Sequence, residues 1–194
     1  MALLVPPPRS SPESDRCARW YDRELGWATT GTSPVRLPTG LSFDVLELPA
    51  AAGHATLRRV GRTGPVALTG QRMRLLVAAG SADELPGLLD WLEWGGIALD
   101  LTAIGTGGQI TAPEPPGGAA GSPGAAFWLR PPGSRQETET SLPALGGLGS
   151  SGGDAPDLVR LVDAAATECH RARIAHARTH LRTHRPTGQP LAFS

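Results

Sequence analysis

The sequence predicts an α/β (α+β) domain, a small mixed sheet flanked by helices, followed by a tethered C-terminal helix. Three observations carry this expectation. Apolar residues switch between two-residue alternation and three- and four-residue spacing, the periods of strands and helices. Gly (25) and Pro (19) together make 44 of 194 residues and punctuate those segments. Hydrophobic content is 40%, enough for one core of roughly 100–150 residues.

In chain order, residues 1–13 are rich in Pro and Ser and are expected to be disordered, with the domain itself over 14–132. Ser14 and Asp15 are N-cap types, and Cys17, Ala18, Tyr21 and Leu25 recur at helical spacing. This predicts a helix over about 15–25, stopped by Gly26. Residues 34–37 predict an edge strand, and 41–48 a second strand ended by Pro49. Residues 50–60 predict a short helix broken by Gly61 and Gly64. Residues 65–68 and 73–77 predict two strands joined by Thr69-Gly70-Gln71.

Over 82–94, Leu85, Leu88, Leu89 and Leu92 fall at i, i+3, i+4 and i+7, with Ser81 as N-cap and Gly95-Gly96 as stop. Residues 97–101, 109–112 and 126–129 predict three further strands. Residues 133–154 are dominated by Gly, Ser, Pro and Thr and predict a flexible linker. A final basic, His/Arg-rich helix is expected over 155–186, with Pro156 in its first turn and Pro186 closing it.

Charge narrows the function classes. The 18 basic residues are all Arg and balance 18 acids, so the formal charge is zero. Wholesale electrostatic binding of nucleic acid is disfavoured, and a local basic patch is not. No apolar run reaches membrane-spanning length. The opening MALLVPPP lacks the apolar stretch of a signal peptide. A cytoplasmic protein with no membrane partner is expected, with Cys17 and Cys169 as free thiols.

Chemistry-bearing residues are sparse. Asp44 and Glu47 lie on one predicted strand and Asp100 on another. Alternation puts Asp44 and Leu46 on one face and Glu47 on the other, so a strand-end Asp bound to backbone or solvent is the competing reading. Gly107 and Gly108 belong to a loop that would admit a phosphate or would simply turn a hairpin. The last helix carries Arg171, Arg173, Arg178 and Arg182, with His176, His180 and His184 at i, i+4 and i+8 and no acid after Glu168. It reads as a nucleic-acid or acidic-partner helix, or as a solvated helix docked through Leu158, Leu161, Val162 and Ala165.

Several segments, in order, carry a resemblance: CARWYDRELGW at 17–27, GLSFDVLEL at 40–48, TGQRMRLLV at 69–77, IALDLTAIGTGGQITAP at 97–113 and FWLRPP at 127–132. Together they resemble the N-terminal domain of the bifunctional primase–polymerases of the archaeo-eukaryotic primase superfamily, in a divergent actinobacterial form. The resemblance implies a primase–polymerase-like fold. It also implies catalytic acids at Asp44, Glu47 and Asp100, with Asp44 and Asp100 as ligands for Mg²⁺ or Mn²⁺ if the site is active. Arg72, Arg74, Gly107 and Gly108 would contact nucleotide phosphates. The second acid of the first motif falls on Leu46 or Pro49, and the phosphate-contacting histidine on Met73. The expectation is therefore a catalytically degenerate protein that binds nucleotide or single-stranded DNA or RNA. The alternatives are an active metal-dependent primase/polymerase, or a protein–protein adaptor using the C-terminal helix.

Overall fold

The computed structural model describes residues 11–117, 124–146 and 157–183. The chain opens with helix α1 (Pro12–Trp20), which runs directly into a π-helical turn over Tyr21–Leu25. The cap is Ser11, whose hydroxyl accepts the Ser14 N–H, and Pro12 stands in the first turn. Helix thus begins inside the segment expected to be disordered, because a proline that marks disorder by composition also suits an N1 position. Gly26 ends the turn at φ 65°, as its predicted role requires.

Strands β1 (Arg36–Pro38) and β2 (Asp44–Pro49) follow, then helix α2 (Ala50–Val60), the hairpin β3 (Val66–Thr69) and β4 (Arg72–Val77), and helix α3 (Ser81–Trp91). The remaining elements are β5 (Thr102–Ile104), β6 (Gln109–Thr111), β7 (Phe127–Arg130), the short helix α4 (Arg135–Ser141) and the long helix α5 (Leu158–Thr183). β1 pairs with β6, and the main sheet has the order β5-β2-β4-β3-β7. The sequence expects mixed strand directions; every pairing within these two sheets is antiparallel.

The main sheet is covered on both faces, and side-chain alternation decides which residue goes where. Leu46 and Leu48 of β2, Val66 and Leu68 of β3, and Met73, Leu75 and Val77 of β4 face a helical layer. That layer comprises Ala52 of α2, Leu85 and Leu88 of α3, and Leu158, Leu161, Val162, Ala165, Ala166 and Cys169 of α5. Each fully buried leucine here contributes roughly 1.5–3 kcal/mol. Gly53 lets α2 lie against β4, since a Cβ there would overlap the Met73 sulfur. On the opposite face, Val45 and Leu76 meet an aromatic layer of Tyr21, Trp27 and Phe43, with Leu37, Ile110 and Leu142.

Three sequence expectations shift. The strand expected over 97–101 forms at Thr102–Ile104 instead. Carbonyls that a ladder would use are taken by α5: Arg173 donates to the Ala98 oxygen and Cys169 to that of Asp100. The linker expected over 133–154 begins with α4, which carries a complete capping box between Ser134 and Glu137 and buries Thr138 and Leu142. Its Ser and Thr content reads as linker, but the S-x-x-E spacing is a helix start; residues 147–154 lie outside the described residues. The helix expected over 155–186 is described over Leu158–Thr183. It is an integral wall of the core rather than an appendage.

Candidate functional site

The face of β2 opposite the helical layer carries Glu47, and the same face of β4 carries Arg72 and Arg74. Antiparallel register sets Glu47 directly across from Arg74 and Pro49 across from Arg72. Glu47 spans the two guanidinium groups: Oε1 accepts from Arg72 Nε at 3.1 Å and Oε2 from Arg74 Nε at 2.8 Å. Arg72 Nη1 continues to Asp100 Oδ1 at 2.7 Å, and Arg74 Nη1 to Thr69 Oγ1 at 3.1 Å. Glu47 and Arg74 are largely buried, at 18% and 16% side-chain exposure, whereas Asp100 is 62% exposed.

The charges of this cluster cancel, two against two. Burial alone would lower the Arg72 pKa; the hydrogen bonds it donates to Asp100 and Glu47, and their charges, outweigh it and hold the guanidinium above its ordinary value. The cluster therefore satisfies itself, and a phosphate entering it would compete with two carboxylates already in place.

Asp44 is on the other side of the same strand. It is 1% exposed, and its Oδ2 accepts the backbone N–H of Ala82 at 2.9 Å. Helix α3 starts after Gly80 with no cap from its own segment, and Ser81, the expected cap, is instead its first residue. Asp44 supplies the missing acceptor from a neighbouring strand and sets a carboxylate against the positive end of the helix. Its second oxygen, Oδ1, is buried without a hydrogen-bond partner among the described residues.

This arrangement sets the two expected metal ligands, Asp44 and Asp100, apart. Val45 pairs with Ile104 and Glu47 with Thr102, so Asp100 lies beyond the Pro49 end of β2 while Asp44 lies at its start. Five strand positions correspond to about 17 Å, too far for one metal, or a close metal pair, to bridge. Of the expected catalytic acids Asp44, Glu47 and Asp100, the last two share one arginine and the first is a helix cap. Among the described residues no group of three or more His, Cys, Asp or Glu side chains could hold a metal ion. The residues present do not fit the Mg²⁺ or Mn²⁺ chemistry that the resemblance implies.

Gly107 and Gly108 also part from Arg72 and Arg74. They turn the chain between β5 and β6 at the Asp44 end of the sheet, with Gly107 at φ 80°. The Gly108 N–H donates to the Gly105 oxygen, and Thr39 closes on both residues, through its N–H to the Gly108 oxygen and its hydroxyl to that of Gly105. A side chain at Gly108 would strike Ile104 and Thr39. Close packing accounts for Gly108, and the left-handed backbone for Gly107.

The basic residues of α5 are set differently. Glu168, 8% exposed, takes Arg59 of α2 at 3.1 Å and Arg171 at 2.9 Å on one oxygen. Arg173 donates to the Ala98 carbonyl at 2.6 Å, which uses a donor and leaves its charge intact. Arg178 and His176 are exposed, and the side chains of His180 and Arg182 lie outside the described residues, as does His184. His170 is half-buried beside Trp94, 5.7 Å between ring centres. Sequence reasoning identified the Glu47, Arg72 and Arg74 positions but missed their mutual neutralisation. The i, i+2 spacing that puts both arginines on one face of β4 was legible; the acid they face lies on β2, which pairs with β4 without adjoining it in the chain. No protein family, curated protein or solved structure matches the chain.

Proposed function

We propose that the protein is a catalytically silent, primase–polymerase-like module that binds single-stranded nucleic acid through the distal half of α5. One observation carries the reading. From Arg171 onward the helix is largely exposed, carries Arg171, Arg173 and Arg178, and has no acid after Glu168. A run of positive charge on a protein of zero net charge is a local electrostatic footprint suited to phosphates. The separation of Asp44 from Asp100 supports the loss of catalysis.

Fluorescence anisotropy with a labelled oligothymidylate tests the proposal. Affinity should fall with salt, with a log–log slope of about −2 to −3, the value for three to four phosphates on a single strand. Salt-independent binding, or none at low salt, overturns it. Nucleoside triphosphates with Mn²⁺ should leave the melting temperature unchanged; a metal-dependent rise would restore the active polymerase as the better reading. The adaptor reading draws support from Ile174, 40% exposed among the arginines of the same helix. It would be favoured by an α5-dependent protein complex that resists high salt.

A further inference from the structure

A cavity of about 340 Å³ lies between α1 and the segment after β6, far in sequence from the arginine cluster and from α5. Glu13, Arg16, Cys17 and Trp20 line one wall at i, i+3, i+4 and i+7, a single face of α1, and Glu114 and Pro115 line the other. Both walls are anchored to the aromatic layer. Trp20 stands edge-on to Tyr21 at 4.9 Å, and the buried Tyr21 hydroxyl donates to the Pro113 carbonyl at 2.6 Å, one residue before Glu114. The Glu114 N–H is in turn held by the Ala126 oxygen. The volume falls at the small end of ligand sites, roughly 300–1,000 Å³.

The charges in this cavity do not balance. Arg16 reaches Glu13 at 3.9 Å, and Glu114 has no ion-pair partner among the described residues. Burial first, and then the charge of Glu114, push the Cys17 thiol above its ordinary value against the opposing charge of Arg16. With Trp20, Pro115 and Cys17 making up much of the remaining wall, the oxygen ligands are too few for a hard metal ion. A delocalised, weakly hydrated cation suits the combination: its N–H groups meet a carboxylate in charge-assisted hydrogen bonds, and its charge gains from an indole.

We propose that this cavity binds a small organic cation bearing N–H donors, of the guanidinium or alkylammonium class, with Glu114 as its counter-charge and Trp20 as its aromatic wall. The five tryptophan indole N–H signals in an NMR spectrum provide the test, with that of Trp20 assigned by Trp20→Phe. Methylguanidinium should displace the Trp20 signal saturably at millimolar concentration, and N-methylurea, its neutral isostere, should not. Glu114→Gln should weaken the effect roughly tenfold or more, the loss of one charge-assisted contact. The other four indole signals report that this variant keeps its fold. No saturable change, an equal change with N-methylurea, or an undiminished change in Glu114→Gln would each overturn the proposal.

Discussion

The two halves of α5 belong to one continuous helix and meet opposite surroundings. From Leu158 to Cys169 the helix is an inner wall, with Leu158, Val162, Ala165 and Ala166 at 0% exposure. The small side chains of Ala165 and Ala166, both in the core cluster that includes Ala52 of α2, suit the close packing of α5 on α2. From Arg171 onward the described residues are almost all exposed, and the side-chain anchors are polar: Arg171 to Glu168, Arg173 to the Ala98 carbonyl. On the proposed reading, stability and anion recognition occupy separate lengths of one element. A change in either length should be nearly silent in the other property.

The most severe way to break this division is to open a cavity in the proximal half. Leu161→Ala should cost about 2–5 kcal/mol in urea unfolding while leaving the oligonucleotide affinity of the folded fraction unchanged. A loss of affinity in the folded protein would show that the halves are coupled.

Alkali should act on the proximal half as well. The buried Cys169 thiol is pushed up to about 12 from an ordinary 9.0, through burial first and then the nearby Asp100 charge. Between those values the unfolded chain releases the proton while the folded chain retains it, so stability falls as pH rises through that window and is unaffected below it. Cys169→Ala should flatten the decline in chemical-denaturation profiles collected between pH 8 and pH 11, with the raised Cys17 thiol and, above pH 10, the buried Tyr21 phenol raised by its burial accounting for the remainder.

Removing charge distally should have the complementary result. The pair Arg173→Ala and Arg178→Ala should leave the melting temperature within a degree or two. It should weaken oligonucleotide binding at low salt and reduce the salt slope by roughly 1 to 1.5. The smallest effect is expected at the border. Glu168→Gln removes the bridge between Arg59 and Arg171, both well exposed. It should cost no more than about 1 kcal/mol and should tighten oligonucleotide binding, since an acid leaves the basic surface.

Local periodicity made most of the fold legible. The order of helices and strands through β7 follows the sequence reading, and the apolar stripe of α5 marks the side that docks. What escaped was non-local. Alternation assigns Glu47 and Asp44 to opposite faces of β2, but nothing along the chain says that the Asp44 carboxylate caps α3, thirty-eight residues on. Likewise, Arg72 and Arg74 read as free cations until strand register lays Glu47 between them. The displaced β5 has the same origin: residues 97–101 have a strand's pattern, yet α5 claims two of their carbonyls.

The position of α5 in the core has a consequence for synthesis. One face of the central sheet, with Leu46 and Leu75 on it, is complete long before α5, the last part of its cover, leaves the ribosome; Arg59 waits 109 positions for Glu168. A nascent chain that has emerged only through β7 has α2 and α3 on this face but not α5, and so presents a partly uncovered apolar sheet, the kind of surface that aggregates or recruits a chaperone. Expression of residues 14–132 alone would freeze that intermediate, and the final helix supplied in trans would be the direct means of rescuing it.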